Sequence, residues 1–135
     1  MLQFIIAIFF ILHGLVHLLY LGQSAGVFEL QPGMIWPQGS WALVGLLGAA
    51  GTRAVGGALC VVAALGFGGG GIGLLLRQAW WRPAAVGAAL LSSALFILCW
   101  DGTLSRLDNQ GAIGILINVA ILVAVLGFGW PRLGF

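Results

Sequence analysis

The sequence predicts an all-α, polytopic membrane protein: a four-transmembrane-helix bundle with a short interfacial or re-entrant helix between its first and second spans. Three observations lead there. Hydrophobic residues fill 61% of the 135 positions and charged residues only 6%, where a water-soluble domain needs roughly a quarter of its residues charged to cover its surface. The apolar residues gather into stretches close to the roughly 20 residues a helix needs to cross a bilayer, and four such stretches with their connections use the whole chain. All six tryptophans fall at the edges of those stretches. An indole prefers that boundary because it joins a large apolar ring to one N–H donor. The length suits a single domain, residues 1–135.

The first span covers residues 2–21. Its start, Met1-Leu2-Gln3-Phe4, carries no Lys or Arg, and the apolar run is too long for the core of a signal peptide, so a retained helix is expected. Residues 22–53 form a connection with a Pro32-Gly33 turn, a Trp36-Pro37 break and an apolar segment from Trp41 to Ala50. About ten apolar residues are too few to cross, which makes that segment interfacial or re-entrant. Running it into the second span would put Arg53 in the membrane at a cost of about 2.5–3.5 kcal/mol. The second span is therefore expected at 54–76, closed by Arg77. The third, 83–100, opens on Pro83, whose missing N–H costs little in a first helical turn. The fourth, 111–130, has Asp108 or Asn109 as N-cap and stops at Trp130-Pro131.

Loop charges orient the bundle. Arg77, Arg82 and Arg132 lie on one side without an acid; Arg53 and Arg106 lie on the other with Glu29, Asp101 and Asp108. The positive-inside rule places the first group and both termini in the cytoplasm. A net charge of +2 without a basic run points away from nucleic acid. Cys60 and Cys99 form no C-x-x-C pair, so neither a zinc finger nor a disulfide framework is suggested. No nucleophile triad, P-loop or zincin helix is present.

Gly66-Phe67-Gly68-Gly69-Gly70-Gly71 matches G-x-G-x-x-G in form, but no strand precedes it and no acid follows at the required distance. Within a span, Gly66/Gly70 and Gly69/Gly73 are small-xxx-small pairs that let helix backbones approach closely.

The first span also carries His13-Gly14-Leu15-Val16-His17. Residues four apart share a helix face. Counting down from the outer ends at 1.5 Å per residue puts His13 at about 12 Å, His17 at about 6 Å, Cys60 at about 9 Å, Ser92 and Ser93 at about 11 Å and Asn118 at about 10 Å. Every span thus places a polar side chain in one layer of the outer half, under a rim of Arg53, Asp101, Arg106 and Asp108. Polar groups in hydrocarbon must find partners inside the bundle. Two readings follow. The layer is hydrogen-bonding glue between helices, each bond giving about 0.6 kcal/mol, or it is a ligand site. A metal would use His13, His17 and Cys60; a single tetrapyrrole would take one histidine; a quinone or lipid headgroup would need neither. No cofactor is the leading expectation. For the rim, arginine–carboxylate pairing at the wet edge is expected.

The run His13-Gly14-x-x-His17, then Gly39-Ser40-Trp41, Trp80-Trp81-Arg82-Pro83, Trp100-Asp101 and a Gly-rich last span with Asn118 resembles uncharacterised small four-helix membrane proteins of bacteria and archaea, some of which carry the label ABC transporter permease. The first span is also faintly similar to DoxX-like proteins, with His17 where those carry Lys. The resemblance implies a multi-pass protein of the prokaryotic inner membrane and no particular activity. The leading function expected is a non-enzymatic membrane component: an accessory or assembly subunit packed against other membrane subunits or itself, or a lipid-binding bundle. The alternatives are a redox, quinone, haem, pigment or metal protein of a respiratory or photosynthetic complex, and a small transporter.

Overall fold

The computed structural model describes all 135 residues. It is all-helical: α1 (Leu2–Ser24), α2 (Val44–Leu75), α3 (Trp81–Cys99) and α4 (Ala112–Leu122), the last continuing through a wider π turn, Val123–Gly127. Three of these, α1, α2 and α3, are long and apolar enough to cross a membrane; α4 with its π turn is a shorter apolar helix.

The helices pack in chain order, α1 on α2, α2 on α3 and α3 on α4. Glycine makes the first two interfaces close. A Cβ built on Gly71 would lie 2.7 Å from the Ala7 carbonyl oxygen of α1, and one on Gly66 would lie 2.8 Å from the Ala88 methyl of α3. Gly70 faces Ala85 of α3, Gly73 lies under the Trp80 ring, and Gly69 has only the edge of Trp80 at 3.9 Å. Helix α2 is therefore thin on both sides, and α1 and α3 settle against its backbone.

The second helix differs from expectation. The apolar segment before Arg53 is divided by a kink at Gly48 (φ 67°, ψ 175°): a short helical turn from Val44 precedes it, and the rest of the segment is the start of the long helix that carries Arg53. The connection from α1 shrinks to 25–43. The continuous part beyond Gly48, residues 49–75, is about 40 Å long against a hydrocarbon core of about 30 Å, longer than one crossing needs. Arg53 is exposed, on the second turn of that continuous part, near its end rather than its middle.

That connection folds back over the end of the bundle opposite the two termini, the end expected to face outward, and is fastened there. Gln23 donates to the Met34 carbonyl at 3.0 Å and accepts the Leu30 N–H at 2.8 Å. Ser40 Oγ donates to the Leu98 carbonyl at 2.6 Å, and Trp41 donates through Nε1 to Ile97 at 2.8 Å and through its backbone N–H to Trp100 at 2.7 Å. These occupy carbonyls that the end of α3 leaves without helical partners. At the inner end Gln3 of α1 donates to the Leu74 carbonyl of α2 at 2.5 Å. Arg82 donates to the Gly129 and Pro131 carbonyls at 3.2 and 2.9 Å and lies over the Trp81 ring.

Two tryptophans depart from the interfacial placement. Trp36 and Trp81 are each 2% exposed. Trp81 packs beside Phe10 in the inner core, and Trp36 lies between Tyr20 and Phe96 in the outer one. Trp41, Trp80 and Trp130 remain exposed. The thickness of the bundle at its ends explains the difference, since a residue at an interface level can face either lipid or another helix.

Candidate functional site

His13 and His17 share the inner face of α1 and are 7% and 1% exposed. The phenyl ring of Phe67 lies against both, its centroid 4.6 Å from His13 and 5.6 Å from His17. The intervening Gly14 makes this contact available: a Cβ there would stand 3.0 Å from the Ala64 carbonyl and 3.1 Å from the Phe67 Cβ. The His-Gly pair is thus one device, presenting imidazoles while letting α1 touch α2.

The polar atoms form one chain with a single direction. His13 Nε2 is 3.0 Å from Asn118 Oδ1, Asn118 Nδ2 is 2.9 Å from Ser92 Oγ, and Ser92 Oγ is 2.7 Å from His17 Nε2. His17 Nδ1 closes the chain on the His13 carbonyl at 3.0 Å. A carbonyl only accepts, so His17 carries its proton on Nδ1 and its Nε2 is the lone pair that takes the Ser92 hydroxyl proton. Asn118 donates to Ser92 through Nδ2 and accepts from His13 through Oδ1, so His13 carries its proton on Nε2. Each neutral imidazole therefore has one tautomer, assigned by the polarity of its partners. Three helices, α1, α3 and α4, are tied together through Asn118 and Ser92, both fully buried. His13 Nδ1 is left with a lone pair and no protein donor.

Not every residue of the expected layer joins. Cys60 is buried in the outer cluster with Trp36, Phe96 and Cys99 and makes no hydrogen bond to the histidines. Ser93 turns its Oγ to a buried position without a partner. No three His, Cys, Asp or Glu side chains stand together as metal ligands, so the combination of His13, His17 and Cys60 is not assembled. His17 has both ring nitrogens occupied, which leaves His13 Nδ1 as the one imidazole lone pair open to a ligand.

The rim is arranged differently from an arginine–carboxylate lattice. The Asp101 carboxylate accepts the Thr103 N–H at 2.8 Å and the Thr103 hydroxyl at 2.9 Å. Burial works to raise its pKa, but these bonds and the Gln110 amide outweigh it and hold the carboxyl below the usual aspartate range. Arg106, in a left-handed conformation at φ 59°, borders a polar cavity of about 340 Å³ with Asp101, Trp36 and Asn109. Ser24 Oγ donates to the Arg53 carbonyl at 2.7 Å, while the Arg53 side chain is exposed.

Between α1 and α4 lies a slot that sequence reading did not anticipate. Its inner part, about 440 Å³, is walled by apolar side chains including Ile5, Phe9, Ala124 and Trp130. Its outer part, about 210 Å³, is bordered by His13, His17, Tyr20, Phe96, Asp108 and Gly114. Ile117 borders both, and together the two clefts lie along the α1 face from Tyr20 to Ile5, about 22 Å by helical rise. Phe9 and Ile5 on its lip are 42% and 58% exposed, so the slot opens sideways. Because α1 is apolar all round, no periodic signal marks the face that does this. No protein-family model, curated protein or solved structure matches the chain.

Proposed function

We propose that this chain is a non-enzymatic four-span protein of the prokaryotic cytoplasmic membrane, with both termini inside, that holds one amphipathic lipid molecule between α1 and α4. The observation that carries the reading is the pair of clefts between α1 and α4, both walled mainly by apolar surface, the outer one bordered also by His13, His17, Tyr20 and Asp108 and the inner one open to the side. A lipid is apolar over most of its length and carries few polar atoms, and a lateral opening in a bilayer admits it without passage through water. A fourth span is supported by the apolar character of Ala112–Gly127; Phe128 and Trp130, exposed just beyond it, extend its apolar length, and a short span is accommodated by local thinning of the bilayer. The hydrogen-bond chain serves as the floor of the slot's head end and ties α4 to α1.

Extraction and mass spectrometry of the protein purified in mild detergent test this reading. One amphiphile per chain is expected, lost when Ala124→Trp fills the inner slot and retained when Leu65→Trp, on an exposed face of α2, adds the same bulk elsewhere. Equal lipid content in both variants would overturn it.

A further inference from the structure

A further space stands apart from the clefts between α1 and α4. The connection from α1 to α2 and the loop after α3 border the polar cavity of about 340 Å³, at the end opposite the termini. Its walls are tied down. Asn109, 7% exposed, donates through Nδ2 to Gln31 at 2.8 Å and takes the Tyr20 hydroxyl proton on its carbonyl. Gln110, 8% exposed, accepts the Asp101 N–H at 2.9 Å. Opposite charges border this cavity without pairing. Arg106 and Asp101 both line it, yet the Asp101 carboxylate is held by Thr103 and Gln110, with no arginine among its partners. The other two acidic side chains are not on its wall: Glu29 accepts the Gly33 N–H at 3.0 Å, and Asp108 borders the cleft toward α1. Trp36, also on the wall, adds a separate observation. It is 2% exposed and its Nε1–H is buried with no acceptor, whereas Trp41 and Trp100 donate theirs to the Ile97 and Thr103 carbonyls. A buried N–H without an acceptor is costly, and each such group in a folded protein needs a reason.

We infer that this cavity takes a small zwitterion, an ammonium and an oxyanion on one short skeleton, with Arg106 and the Trp36 N–H serving the oxyanion and Asp101 the ammonium. A simple anion meets the Asp101 charge and a simple cation meets that of Arg106, so only a molecule carrying both charges gains from both. Asn109, its Nδ2 spent on Gln31, adds an acceptor oxygen, and Met34 and Ile35 add apolar wall. The size agrees. A sphere of that volume is about 9 Å across, and an α-amino acid with one charge-assisted hydrogen bond of about 2.8 Å at each end needs about the same width. Two sources share this chemistry: a free amino acid arriving from water, and the headgroup of an ethanolamine phospholipid arriving from the bilayer.

The test uses the full chain in mild detergent and titration calorimetry with three probes on one skeleton: leucine, isocaproate, which lacks the ammonium, and isoamylamine, which lacks the carboxylate. Leucine is expected to bind roughly tenfold tighter than either, the worth of one hydrogen bond to a charged group. Asp101→Asn is expected to erase its advantage over isocaproate, and Arg106→Asn its advantage over isoamylamine. Arg106 is exposed and asparagine tolerates its left-handed backbone, so this second variant keeps the test whole should Asp101→Asn loosen the loop. Trp36→Phe, which keeps a ring between Tyr20 and Phe96, is expected to weaken leucine and isocaproate several-fold and to leave isoamylamine unchanged. Equal affinity for the three probes, or a leucine affinity that neither Arg106→Asn nor Asp101→Asn lowers, would overturn the zwitterion site. Glycerophosphoethanolamine, the phospholipid headgroup without its acyl chains, separates the sources: tighter binding than leucine names the lipid, weaker binding the free amino acid. Failure of both to bind would also overturn the site. None of these outcomes touches the lipid slot, which Ala124→Trp tests on its own.

Discussion

Replacing Asn118 by leucine removes the link on which three helices converge, and its cost can be worked from the contacts. Two bonds are lost, to His13 at 3.0 Å and to Ser92 at 2.9 Å, and interhelical bonds in membranes average about 0.6 kcal/mol each. The His13 Nε2–H is then buried without an acceptor, which adds about 1–3 kcal/mol. Leucine keeps asparagine's four side-chain heavy atoms and its branch at Cγ, so overpacking is small. The sum is about 2–4 kcal/mol. The matched double variant, His13→Leu with Asn118→Leu, removes donor and acceptor together and escapes the orphan-donor part, so it should cost at least about 1 kcal/mol less than the two singles added. Reversible unfolding in mixed micelles with increasing SDS, followed by tryptophan fluorescence, measures each variant. An Asn118→Leu protein within about 0.5 kcal/mol of the parent, or strict additivity in the cycle, would refute the hydrogen-bond chain as the tie between α1, α3 and α4.

Other outcomes follow from single contacts. Gly71→Ala drives a methyl onto the Ala7 carbonyl, 2.7 Å away, and should destabilise by about 1–3 kcal/mol, whereas Gly68→Ala, with nothing within 4 Å, should stabilise by about 0.5–1 kcal/mol; the same SDS titration separates them, and a reversed order would contradict the packing of α2. Asp101 has its native pKa below the unfolded value, so its contribution is present above the ordinary aspartate pKa of about 3.9 and is lost as pH falls through the lower native value. Asp101→Asn should therefore weaken the outer loop at neutral pH but not at strongly acidic pH, read by proteolysis of the 100–110 segment at each pH. Cys60 and Cys99, both buried, should resist a water-soluble maleimide in the native protein and react with it in SDS; labelling of the folded chain at either site would place the outer cluster wrongly.

The helices that were legible in the sequence are those whose ends carry a chemical signal. Arg77 and Pro83 bracket the inner turn between α2 and α3, and the chain reverses there. The start of α2 carried no such signal: Gly48 breaks the helix without ending it, and a glycine inside a Gly-rich apolar run looks the same whether its φ is negative or positive. The polar residues show a related limit. Counting along a helix gives depth, and depth alone put Cys60 and Ser93 beside the histidines. Azimuth separates them, because adjacent residues such as Ser92 and Ser93 differ by about 100° around the axis, and only Ser92 points at His17. Tyr20 and Phe67 were invisible for the opposite reason, since an aromatic residue in an apolar helix has nothing to distinguish it until its neighbours are known. Gln3 and Gln23, polar residues near the two ends of α1, were the available hint that this helix caps its neighbours.

The packing order has a consequence for how the protein is made. Each helix settles on the one synthesised just before it, so α1, α2 and α3 can be placed as the chain emerges, before α4 has left the ribosome. During that interval His13, His17 and Ser92 are already in the membrane, with no Asn118 to receive or supply a proton. Arrival of the last helix completes the circuit in a single event. A chain truncated after α3 would leave the His13 imidazole without its Asn118 partner.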